Sequence, residues 1–518
     1  MLRAIFIPKM ARTVATDELP LPKLLDGERI TYVEQENEYN VANRVPSGLE
    51  AMELLAKAKN RKQIGDFGPV LASLSLSVHG KDPAFHLYEA VFGRDSLRTA
   101  YDLIEYYPKL AKSTLLALAA VQGVMFDTAR EEEPGRIPHE VRDPRSDPRA
   151  RMLSETLGWG WPYYGAVDVT PEFVRTLAAY CRLVPGGAAI LNEAYTGRDG
   201  ATHVLSDALL AAVEWIQGRL SANTEGLLEF KRSNPNGLPN QVWKDSWDAY
   251  FHADGEIANH EQGIASIEVQ AAVYDALLDV ADLCENCLNK RSQAVELRRT
   301  AERLRLVIME LFWDEHERYF VLGLDRDKAG KIRQLKVMTS NMGHILHSRV
   351  LAGDQPDQIE RREAVIRHLL SPAMLGLNGI RTLSNKEIRY RPGAYHNGSV
   401  WIWDNYFIAQ GLSVLGYHNL AHFIDDRLLA DITATRRFPE YLRGDNDPDR
   451  RLNSRIVRAW DKNNQLENTI EQPPQDIQAW SVASILAIHI RRQHGQHQTT
   501  DPVKLALEQE LLAPYRAS

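Results

Sequence analysis

Helical periodicity along almost the whole chain, broken by long aromatic loops, constrains this fold more than any other feature. Apolar residues recur at three- and four-residue spacing in 49–58, 96–107, 109–129, 171–183 and 206–220. The pattern resumes in 257–284, 292–312, 340–351, 358–370, 399–415, 419–433 and 477–494. About twelve such segments, joined by short polar loops and by long Gly/Pro-rich ones, predict helical hairpins closed into a ring. The expected fold is all-α, an (α/α)6 barrel with long loops and a few short β-hairpins at 226–231, 319–324 and 332–336. Caps are read at Asp95 before Ser96, at Thr170-Pro171 and at Ser206-Asp207. No repeat with the period of an open solenoid is present. The barrel is assigned to 46–495, an N-terminal extension with rim strands near 30–34 to 1–45, and a tail helix to 496–518.

Composition removes several function classes. A net charge of −8 on 518 residues argues against nucleic acid and anionic membranes as partners. Three cysteines exclude a disulfide framework, and Cys284-x-x-Cys287 has no second pair with which to bind zinc. The apolar run at 4–7 is too short for a signal-peptide core, and 115–126 falls short of the roughly 20 residues a bilayer needs. A soluble cytoplasmic protein is expected. No zincin, calcium-loop, dinucleotide or P-loop motif appears, so neither metal nor cofactor is expected.

Chemistry concentrates in residues 241–248, Gln-Val-Trp-Lys-Asp-Ser-Trp-Asp, where Asp245 and Asp248 stand beside Trp243 and Trp247. Glu440 sits downstream in the aromatic turn Phe438-Pro439-Glu440-Tyr441. Aromatic planes stack on sugar faces, while one carboxyl stays protonated and another activates water. Read at the start of a helix, Asp245 and Asp248 would share a face.

The chain then resembles bacterial amylo-α-1,6-glucosidase-like proteins, relatives of the glucosidase domain of glycogen debranching enzymes. The resemblance is carried by Phe92-Gly93-Arg94-Asp95-Ser96, residues 131–140 (EEEPGRIPHE), 163–171 (YYGAVDVTP) and 241–248. It continues through 339–344 (TSNMGH), 379–384 (GIRTLS), 395–401 (YHNGSVW), Pro439-Glu440 and Gln478-Ala479-Trp480. The family implies an (α/α)6 barrel with inverting chemistry on α-glucosidic bonds, akin to trehalase and processing α-glucosidase I. Only about 85 residues precede the first motif, where many relatives carry a large β-sandwich, so a small substrate is expected.

The resemblance also implies roles. Glu440 matches the general base. Asp245 matches the acid of the debranching-type Trp-x-Asp pattern, and Asp248 that of the trehalase-type pattern, with Asp248 preferred. Arg94 and Asp95 resemble a clamp on the sugar's outer hydroxyls, with Phe92, Trp401 and Trp403 as stacking platforms. His139, Glu140, Tyr395 and His396 are expected to border the funnel, together with Gln241, Trp243, Lys244 and Trp247. Asp168 either lines the mouth or caps the helix that follows. The expected activity is hydrolysis of a terminal α-glucosidic or α-mannosidic bond in a small glucoside or short oligosaccharide. A helical-barrel epimerase or uronide hydrolase and a non-catalytic sugar binder are the alternatives, and homo-oligomerisation is compatible with the sequence.

Overall fold

The computed structural model describes residues 47–57, 69–76, 79, 86–460, 466–493 and 497–515, with the backbone of two antiparallel strands, Val33–Gln35 and Glu38–Asn40. The rim-strand expectation for 30–32 lies outside the described residues. In chain order the α-helices are α1 (Gly48–Lys57), α2 (Gly93–Asp102), α3 (Pro108–Ala120), α4 (Pro148–Leu157), α5 (Val169–Leu183) and α6 (Leu205–Leu220). There follow α7 (Ile267–Asn286), α8 (Arg291–Leu311), α9 (Pro356–Leu369), α10 (Ile402–Val414), α11 (His418–Thr435), α12 (Ala479–Gln493) and α13 (Pro502–Leu512).

Six segments close an inner ring: α2 packs on α5, α5 on α7, and α7 on a 3₁₀ stretch at Ser340–Leu346. That stretch packs on α10, α10 on α12, and α12 returns to α2. The outer helices α1, α3, α6, α8, α9 and α11 alternate with them along the chain, which is the expected (α/α)6 order. Sequence sets the layer of each helix. In α7, 16 of 20 residues are buried on every face, as an inner position requires. In α8 only Ala294, Leu297, Ala301, Leu304 and Ile308 are buried, a single stripe at three- and four-residue spacing.

The inner segments share one direction, and the N-termini of four of the six are pinned by two-residue strands. Val91–Phe92 pairs with Glu140–Val141 before α2, and Ala265–Ser266 with Gly323–Arg326 before α7. Val400–Trp401 pairs with Tyr441–Leu442 before α10, and Ile477–Gln478 with Ser73–Leu74 before α12. The positive ends of the inner helices therefore gather at one mouth, where carboxylates are favoured. Among the described residues no helix is long and apolar enough to cross a membrane.

Several expected boundaries move. The 109–129 segment stops at Ala120, because Gly123 N–H turns back to Arg136 O at 2.9 Å and leaves Phe126 82% exposed. The 257–284 helix begins only at Ile267, since residues 257 and 264 bridge to Phe251 and Phe230. For the same reason 226–231 is not a strand but one bridge. The 340–351 segment is 3₁₀ at Ser340–Leu346 and Arg349–Leu351. Helix α4 lies outside the expected segments, although its signals stand in the sequence: Asp147 as N-cap, Pro148 at N1 and Gly158 as left-handed C-cap. The expected cap at Asp95 is absent. The helix starts at Gly93, so Asp95 lies in its first turn with its carboxylate free for other partners.

Candidate active site

The carboxylates at the mouth are held by the starts of the inner helices and by the loops beside them. Asp168, just before α5, takes a bidentate ion pair from Arg94 of α2 at 2.8 and 3.0 Å. Its capping reading fails, since no backbone N–H of α5 bonds its side chain. Asp95 accepts from Gln478 Nε2 at 2.7 Å, which ties α2 to the start of α12. Glu440, 1% exposed, accepts from the Tyr395 hydroxyl and from Gln475 N–H at 3.3 Å. Asp245 approaches His396 Nδ1 at 3.9 Å, with its side chain 26% exposed toward the opening.

These groups form one electrostatic unit. Burial raises Asp245 to about 7, opposed by Arg94 and reinforced by Asp168 and Asp95. Burial likewise raises Glu440 to about 8; its hydrogen bonds oppose the shift, and Asp95 and Asp245 add to it. Asp95 is pushed by burial to about 7, with Arg94 pulling it down. Asp248 stands apart. Burial raises it too, but its charged neighbours are Arg389 and Arg391 and its hydrogen-bond partner is Asn397. Residues 241–248 are irregular rather than the start of a helix, so three-residue spacing does not put the two acids on one face.

The floor of the mouth is an aromatic cluster separate from the main core: Trp243, Trp401, Trp403, Phe407, Tyr441 and Trp480. Beneath it, a cavity of about 50 Å³ is bordered by Arg94, Asp168, Trp243, Glu268, His344 and Trp403. Among the described residues, the indole N–H groups of Trp243, Trp403 and Trp480 and one oxygen each of Gln478 and Asp404 are buried without a hydrogen-bond partner.

The mannosylglycerate hydrolase MGH1-like glycoside hydrolase domain matches residues 94–486. The chain belongs to this family. It is an inverting (α/α)6 family related to glucosidase I and to the debranching-enzyme glucosidase domain, in line with the resemblance read from the sequence, and the chain is a glycoside hydrolase. Among solved structures it is similar to the GH63 mannosylglycerate hydrolase of Thermus thermophilus in complex with Tris and D-glycerate. That match has 16% identity, a TM-score of 0.55, and covers 86% of this chain and 99% of the other. The same enzyme with Tris alone gives 16% identity, a TM-score of 0.54 and the same coverage. At this identity the likeness shows the helical-barrel fold. No curated protein matches the chain by sequence.

Within the family barrel the other expected site residues divide into two groups. Phe92, 7% exposed, meets His139 edge-on at 5.3 Å and Tyr88 at 5.7 Å. His139 is held neutral by burial and by the charges of Arg94, Arg136 and Arg142. Tyr395 and His396 sit against the floor, with ring centroids 5.0 and 5.2 Å from Trp401. Four residues are placed differently from expectation. Trp247 is 39% exposed and lies outside the aromatic cluster. Gln241 is buried and its side-chain oxygen accepts from Arg136 at 2.8 Å, behind the mouth. Glu140 is paired with Arg142. Lys244 is 1% exposed and donates to Thr382 O at 2.6 Å, beneath the site.

Sequence reasoning missed Tyr88, whose hydroxyl is pushed up by burial and by the charge of Glu440. It also missed the buried His344–Asp404 pair, with Nε2 to Oδ1 at 2.6 Å. The usable signal was position: Asp404 lies in the first turn of an inner helix, as Asp95 does.

Proposed function

We propose that the protein hydrolyses the α-glycosidic bond of a small hexoside with inversion, Asp245 acting as general acid and Glu440 as general base. The observation that carries this reading is the meeting of Asp245 and Glu440 at one mouth, where burial raises the proton affinity of both and the charge of Asp245 adds to that of Glu440. Asp245 donates its proton to the glycosidic oxygen as the bond to C1 breaks and the electron pair leaves with the aglycone. Glu440 takes a proton from water attacking C1 on the opposite face, which gives the β-sugar. Arg94, Asp168, Asp95 and the unpaired indole N–H groups supply the donors and acceptors that a polyol satisfies.

The substrate class follows from the family and from charge. In the free site burial raises the proton affinity of both Glu440 and Asp245. Catalysis needs Asp245 protonated and Glu440 ionised. Tyr395 and Gln475 donate to the ionised form of Glu440, and an anionic aglycone beside Asp245 would raise that acid further. Arg149 offers such an anion a partner. It acts electrostatically on Tyr88, which in turn feels Glu440 and Asp245. An α-mannoside or α-glucoside of a small hydroxy acid such as glycerate fits these features. The test is release of free hexose from a panel of mannosyl- and glucosylglycerate, neutral α-disaccharides and isomaltooligosaccharides. Turnover of the glycerates well above the others is expected, and turnover of none of the panel would overturn the reading.

A further inference from the structure

The buried amine of Lys244 is not used by the chemistry proposed above, and its burial is costly. Its side chain is enclosed, it has no carboxylate within ion-pair distance among the described residues, and burial lowers it to about 7 against the opposing charges of Asp404 and Glu268. Its one hydrogen bond goes to Thr382 O at 2.6 Å. Thr382 is a junction. Its backbone N–H and its hydroxyl both donate to Ser399 O, at 2.8 and 2.9 Å, and the hydroxyl accepts from Gly398 N–H at 3.0 Å. The Ser399 hydroxyl donates to Tyr395 O at 2.6 Å, and the Tyr395 hydroxyl donates to Glu440. A second stitch runs beside it: Ser246 N–H donates to His396 Nδ1 at 3.3 Å, and the Ser246 hydroxyl meets the same atom at 2.8 Å.

We propose that Lys244 is a positioning residue. By fastening residues 243–246 to the 382–401 segment, it fixes where Asp245 stands relative to the Tyr395-held Glu440. The sequence neighbour of the acid thus sets the geometry of proton delivery without touching the sugar. The inference rests on Asp245 being the acid, and its effect is specific: leaving groups that need a proton depend on it, and those that need little do not.

The test compares Lys244→Met with the parent on a hexosyl glycerate and on the corresponding α-hexosyl fluoride, whose departure needs little acid assistance. Methionine matches the straight chain and removes the desolvated amine, so folding is checked by thermal melting before kinetics. The expected result is a kcat lower by about 30-fold or more on the glycerate, KM within about threefold, and a loss of about threefold or less on the fluoride. Equal losses on both substrates would make Lys244 merely structural and overturn the proposal, as would full activity on both. Should Lys244→Met not fold, Lys244→Gln carries the same comparison. A parent enzyme inactive on both substrates would instead count against the functional reading, so the two failures are distinguishable.

Discussion

Asp245 and Asp248 lie three residues apart in one motif, and the fold sends them to different environments. Asp245 joins Arg94, Asp168, Asp95 and Glu440 at the barrel mouth, whereas Asp248 joins Asn397, Arg389 and Arg391 on the side of the rim loop. Both are raised by burial, so proton affinity alone does not separate them. What separates them is company: three further carboxylates and one arginine on one side, two cations on the other. Three-residue spacing brings side chains together on a helix, and the segment that holds these acids is not one.

The sharpest way to break this comparison is to neutralise each acid in turn. Asp245→Asn is expected to lower kcat on a glycerate-type substrate by about 10³-fold or more, and Asp248→Asn by less than about tenfold, in steady-state kinetics. The reverse order would return the acid to Asp248. Next in size is Tyr395→Phe, with an expected loss of about 10- to 100-fold in kcat. The Tyr395 hydroxyl stabilises ionised Glu440, so its removal raises that carboxyl's proton affinity and leaves a smaller fraction of the ionised base near neutrality. The parent profile should be a narrow bell with its maximum between about pH 7 and 8, where Glu440 can be ionised while Asp245 keeps a proton.

Arg149→Ala is expected to raise KM about tenfold for an anionic aglycone and hardly at all for a neutral one. A smaller effect falls on stability. Asp245 has a raised affinity for its proton in the folded state, so its contribution is fully present below about pH 4 and is lost as pH rises toward about 7. Asp245→Asn should therefore be more stable than the parent at pH 8, by roughly 2–4 kcal/mol at most, and show little difference at pH 4, by calorimetry. Trp247→Ala, at the exposed rim, should change kcat by less than about threefold.

Much of this fold was legible because layer and periodicity are coupled. The all-round burial of α7 and the single stripe of α8 are written in residue spacing. The entries to the inner helices were not legible as such. Val400–Trp401 and Ile477–Gln478 look like helix in an apolar run, and only pairing with distant strands makes them extended. The same limit applies to the site. Glu440 and the Arg94-Asp95 pair were findable from motifs, and the structure holds them at one mouth. The partner of Asp168 and the destination of Lys244 were not, because Arg94 and Thr382 are remote in sequence and close only in the fold. Capping was a sound local reading of Asp168, and a tertiary ion pair overrode it.

The most direct test of the inverting acid–base pair is proton NMR of the first product formed from an α-linked hexosyl glycerate, recorded before mutarotation. With Asp245 protonating the leaving oxygen and Glu440 activating water on the opposite face, the β-anomer of the free sugar appears first. First appearance of the α-anomer would mean retention, with a carboxylate attacking C1 itself, and would contradict the assignment.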